Sequence, residues 1–154
     1  MGSGIWTRSS FESYSAKKCR TVKDGKIVGD YSTQDMFTST SLPAILNPFN
    51  VIRECVDSTE HPNTIPVIIG IDVTGSMGKA GVEVAKSISA IIENLYTKYT
   101  DIEFMIMGIG DLSCDRAPIQ ISQFESDIRI LDQLSHIYFE RGGGGNGWES
   151  YTAA

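Results

Sequence analysis

Cysteine is scarce in this chain, and so is histidine. Cys19, Cys55 and Cys114 are odd in number and far apart, which argues against a disulfide framework and for a reducing compartment. They also lack the paired spacing of a zinc site, so they are expected to be free thiols in a cytoplasmic protein. No apolar run approaches the roughly 18 residues of a membrane span, and Met1-Gly2-Ser3-Gly4 does not read as a secretory leader. Basic residues are also in the minority, with 13 Lys and Arg against 19 Asp and Glu and a net charge of -6. That balance argues against a nucleic-acid surface, which normally needs a basic patch.

What is present is an ordinary globular composition, 41% hydrophobic and 21% charged over 154 residues. A chain of this size can bury about 70% of its unfolded surface in a single core. The pattern divides the chain into an N-terminal extension, residues 1–64, and a more strongly patterned stretch, residues 65–154, expected to be the first half of a larger domain. In the extension, Ser9-Ser10-Phe11-Glu12 fits a capping box and predicts a short helix from Ser10 to about Cys19. Asp24-Gly25 between two short runs predicts a hairpin. Residues 31–64 are rich in Ser, Thr, Asn and Pro and read as a lead-in without a core of its own. Within it, Arg53 to Pro62 is dense in reactive groups: a polar loop with Arg53 paired to Glu54 or Asp57 is the plainer expectation, and a Cys55/His61 nucleophile pair the bolder one.

The most informative stretch is Ile68-Ile69-Gly70-Ile71-Asp72-Val73-Thr74-Gly75-Ser76-Met77-Gly78. A β-branched run from Val67 to Ile71 predicts a strand covered on both faces in a parallel sheet. It ends in Asp-x-Thr-x-Ser, which delivers three hard oxygen donors to one point and suits an octahedral divalent ion. Ligands of such strand-loop-helix units bind at the carboxyl ends of the strands. The plainer alternative is that Asp72 and Ser76 only cap the helix that follows. Val73 separates Asp72 from Thr74, so an aspartic-protease Asp-Thr-Gly-Ser is excluded, and Thr74 stands where a phosphotransferase Asp-x-Asp would need its second acid.

Downstream, Val84, Ile88, Ile91, Ile92, Leu95 and Tyr99 recur at helical spacing and predict one apolar face. Glu103 to Ile109 reads as a second buried strand that brings Asp111, and with it Asp115, to the same sheet edge as Asp72. Ala117 to Gln123 alternates apolar and polar residues and predicts an edge strand with one exposed face. Phe124, Ile128, Leu131, Leu134 and Tyr138 predict a second helix, with His136 off its apolar stripe. Gly142 to Gly147, interrupted by Asn146, allow backbone to approach an ion or phosphate closely. A phosphate loop would need a Lys after the glycines, and none is there.

The Asp72-x-Thr74-x-Ser76 pattern and the order of elements from about Ile65 onward resemble von Willebrand factor A domains with a metal-ion-dependent adhesion site, in particular a bacterial and phage-associated subgroup. The resemblance implies an α/β fold, three-layered and Rossmann-like, with a mainly parallel sheet and an antiparallel edge strand at residues 117–123. It implies that Asp72 holds Mg2+ or Mn2+ directly or through water and that Thr74 and Ser76 ligate it by their hydroxyls. Asn146 falls where the family places a Thr or Asp ligand, Glu149 opens the next helix and is a further candidate, and Asp111 is a secondary candidate acting on the ligands. The function implied is protein binding, with a partner's acidic side chain completing the metal shell. Alternatives are a metal-assisted hydrolase with Glu149 or Asp111 as base, and a structural phage or prophage protein with a decayed metal site. The family fold continues past Ala154, so the expectation is of a domain incomplete at its C-terminus, with an exposed sheet edge suited to a homodimer.

Overall fold

The computed structural model describes residues 4–140. The chain first forms α1 (Arg8–Lys17) and the hairpin β1 (Thr21–Lys23) and β2 (Lys26–Val28), then the short α2 (Thr33–Met36) and a 3-10 turn at Ala44–Leu46. β3 (Ile65–Asp72), α3 (Gly78–Tyr96), β4 (Ile102–Ile109), β5 (Ile119–Ile121) and α4 (Arg129–Ser135) follow. The result is a mixed α/β fold. Its main sheet has the order β3-β4-β5, with β3 parallel and β5 antiparallel to β4.

Local chemistry sets the N-terminal boundaries. α1 is capped by Thr7, whose hydroxyl accepts from the Ser10 N–H at 3.2 Å, so the helix begins before the Ser10 start expected from sequence. It ends in a Schellman arrangement. The Arg20 N–H donates to the Ser15 carbonyl and the Cys19 N–H to the Ala16 carbonyl, both at 2.9 Å, with Cys19 at φ 55°. Asp24 and Gly25 lie at φ 51° and 74°, the left-handed pair that a two-residue hairpin of matching twist requires.

The extension does not stand apart from the rest. Trp6, Phe11, Ile27, Met36, Phe37 and Leu46 share one core cluster with Ile88 and Ile92 of α3, Ile102, Phe104 and Ile106 of β4, and Leu131 and Leu134 of α4. The buried side of α3 comprises Val82, Ala85, Ile88, Ser89 and Ile92. That stripe is rotated from the expected one, since Ile91 is exposed and Tyr99 lies beyond the helix, also exposed.

β4 is buried along nearly its whole length, as expected for a strand with partners on both edges. β3 is not. Ile65 and Ile68 are 43% and 53% exposed, against the expectation of cover on both faces. Val67, Ile69 and Ile71 face the core, whereas Ile68 pairs beside Met105 on the opposite face. There the cover is a segment without helix or strand, residues 47–64, whose Val56 N–H donates to Glu103. Among the described residues, β3 pairs with no strand on its other edge.

The second predicted helix is shorter than its apolar spacing suggests. Phe104 bridges Glu125 in an antiparallel pair, which holds residues 124–125 extended and delays α4 to Arg129. No helix among the described residues is long and apolar enough to cross a membrane.

Candidate metal centre

β3 and β4 run parallel with Asp72 opposite Ile109, so the turns that follow them leave the sheet side by side. The two turns are built alike. Asp72 Oδ1 accepts from the Thr74 N–H at 2.9 Å and from its hydroxyl at 2.6 Å. Asp111 Oδ1 accepts from the Ser113 N–H at 2.7 Å and from its hydroxyl at 2.6 Å. An Asp two residues before a hydroxyl residue folds back on its own backbone in this way, and here it does so at both strand ends.

The bond direction has a chemical consequence. A hydroxyl has one proton and two lone pairs. Where its proton is committed to a carboxylate, the lone pairs are left as donors toward a cation. Thr74 and Ser113 are both arranged in this sense, although Thr74 is 4% exposed and sits deeper than Asp72. Ser76 lies exposed in the 3-10 turn Gly75–Met77 that leads into α3.

Asp111 is also buried, and more of its chemistry is spent locally. Its Oδ2 accepts from the Cys114 thiol at 3.2 Å, and its N–H donates to Asp115 Oδ2 at 2.7 Å. Among the described residues, no three His, Cys, Asp or Glu side chains gather as a metal cage. The donors at this edge are instead carboxylates mixed with hydroxyls, a hard oxygen set that fits Mg2+ or Mn2+ better than softer metals. Asn146 and Glu149 lie outside the described residues.

The chain returns to this edge just before the glycine-rich stretch. The Glu140 N–H donates to the Val73 carbonyl at 3.1 Å, between Asp72 and Thr74. Glu140 Oε1 accepts from the N–H groups of Arg116 and Ala117 at 2.7 and 2.9 Å. Gln120 steers the approach. Its side-chain amide donates to the Tyr138 carbonyl at 2.7 Å and accepts from the Tyr138 N–H at 2.9 Å, so the amide pairs with backbone as a strand would. Sequence alternation put Gln120 on an exposed face of β5; it is fully buried. A polar residue inside an edge strand gave no sign of a backbone partner 18 residues on.

The other polar candidates separate. Arg53 pairs with neither Glu54 nor Asp57; its guanidinium donates to the carbonyls of Ile45, Asn47 and Ile121 at 3.0–3.2 Å. Cys55 and His61 do not form a pair. His61 is buried with Nε2 at 2.8 Å from the Gly4 carbonyl and Nδ1 at 3.8 Å from Asp101. Burial and the Glu103 carboxylate beside it push the Cys55 thiol up to about 12, the opposite of what a nucleophile needs. None of the three cysteines is in a disulfide.

Neither a protein-family model, nor a curated protein, nor a solved structure matches the chain.

Proposed function

We propose that this chain is a metal-dependent protein-binding module of the von Willebrand factor A kind, with Mg2+ or Mn2+ held at the carboxyl end of β3. The observation that carries the reading is the Asp72–Thr74 contact of 2.6 Å, a carboxylate and an oriented hydroxyl at the tip of a parallel strand. The strand order β3-β4-β5 with an antiparallel third strand, and the helix α3 that begins at the Asp72 turn, support it further.

In this reading Asp72, Thr74 and Ser76 hold the ion, Asp111 orients the neighbouring turn, and Asn146 and Glu149 belong to the segment that completes the shell. When bound, the ion offers a coordination position to a carboxylate of a partner protein. The chain's own residues do the positioning: the Asp72 carboxylate fixes the Thr74 hydroxyl, and Glu140 ties the returning chain to Val73.

The test uses the metal alone. Calorimetric titration with Mn2+ should give saturable binding to the wild-type chain and none to Asp72→Ala, with the far-UV spectrum of the variant unchanged. Equal titration of the two proteins would end the reading.

A further inference from the structure

We propose that residues 47–60 form a strap that opens as a unit while the rest of the fold stays closed, with Arg53 as its latch. The strap is anchored at both ends. Leu46 is fully buried on one side and His61 is 2% exposed on the other. Between them the chain has neither helix nor strand.

The apolar side chains of the strap point the wrong way for a permanent cover. Phe49 and Ile52 are 74% and 79% exposed, and Val51 and Val56 are also exposed. Lifting the strap therefore returns little of the strap's own apolar surface to water, and apolar burial is what normally resists opening. Polar fixtures hold it instead. The Arg53 guanidinium donates twice to the Ile121 carbonyl of β5, at 3.0 and 3.2 Å. The same guanidinium gathers the carbonyls of Ile45 and Asn47, so one side chain both shapes the strap and fastens it to the sheet. The second fixture is Glu103, reached by the Val56 N–H at 3.4 Å.

Beneath the strap is a group that favours opening. Glu103 is fully buried, and among the described residues its Oε1 has no hydrogen-bond partner. A buried polar oxygen without a partner is penalised until water reaches it, and opening the strap admits that water. Met105 and the flank of Ile68 lie on the same face of the sheet. The open form thus presents that face together with Phe49 and Ile52, a surface that the closed form divides.

Native-state hydrogen exchange on the full chain decides this, read at two amides. Val56 donates to Glu103, and Ile106 in β4 donates to the Ser122 hydroxyl at 2.8 Å. If the strap opens alone, the Val56 amide exchanges at least about a hundredfold faster than Ile106, at a rate unaffected by low urea. Arg53→Ala should then speed Val56 about tenfold further and leave Ile106 unchanged. Equal protection of the two amides in the wild-type protein, with urea accelerating both in parallel, overturns the proposal, and that comparison requires no variant to fold. Unchanged exchange at Val56 in Arg53→Ala removes Arg53 as the latch and overturns the proposal as stated.

Discussion

The Thr74 hydroxyl donates to Asp72 Oδ1 at 2.6 Å while the Thr74 N–H donates to the same oxygen at 2.9 Å. One carboxylate oxygen thus closes the turn and orients the hydroxyl. The same pairing between Ser113 and Asp111 closes the turn after the neighbouring strand. Removing either hydroxyl should leave the fold intact and change only what the turn offers to a cation. Thr74→Val should weaken Mn2+ binding about 10- to 100-fold and Ser113→Ala less than that, measured by calorimetry. Equal effects would mean that the two turns contribute alike.

Acid should destabilise the protein in a defined window. Glu93 is held below its ordinary value of 4.5, first by its hydrogen bond from Arg8. Asp35 and Asp57 are held below 3.8, chiefly by hydrogen bonds from Ser32 and from the Thr64 backbone. Because the folded values are depressed, these groups contribute stability that is fully present above the unfolded values. It is lost as pH falls from about 4.5 through the lower folded ones. The urea midpoint should decline across that range, and Glu93→Gln should make the decline shallower. An identical slope in the variant would remove Glu93 from the account.

Cys55 should resist alkylation. With its thiol at about 12, only about one molecule in ten thousand carries thiolate at pH 8, since each unit is a factor of ten. Iodoacetamide at that pH should modify the exposed Cys19 long before Cys55, as read by peptide mass. Comparable rates would contradict the environment described for Cys55.

Gly81 of α3 faces the Phe139 ring so closely that an added Cβ would sit 2.4 Å from Cζ. The ring cannot swing away freely, because it packs against Phe37 with centroids 4.5 Å apart. Alanine normally favours a helix over glycine by about 1 kcal/mol. Here the clash should reverse the sign, and Gly81→Ala should lower stability by about 1–3 kcal/mol. A raised melting temperature would show that Phe139 yields.

Cys19 occupies the left-handed position that ends α1, at φ 55°. Glycine adopts that conformation without the Cβ penalty. Cys19→Gly should therefore stabilise the protein by up to about 1 kcal/mol, visible as a higher urea midpoint with an unchanged slope.

These cases mark how far the sequence could be read. Asp24-Gly25 specified its hairpin because both left-handed angles are properties of those two residues. Asp72, Thr74 and Asp111 were legible as groups at one sheet edge because strand ends and turn chemistry are local. Arg53 was not, since its acceptors are backbone carbonyls, one of them 68 positions away, and a carbonyl leaves no trace in composition. Gln120 was misjudged for a related reason: a polar residue in an alternating strand pattern reads as exposed until a distant segment is known to cover it. The start of α1 was placed two residues late, because Ser9 and Ser10 carry capping hydroxyls as Thr7 does and only the fold selects Thr7.

Glu140 holds the carbonyl of Val73 through its own N–H and the N–H groups of Arg116 and Ala117 through its carboxylate. It is a rivet through two loops. Tension on the chain at that residue is delivered at once to the turn after β3 and to the segment that enters β5. Whatever engages the polypeptide there acts on both strand ends together, with no need for the sheet between them to deform.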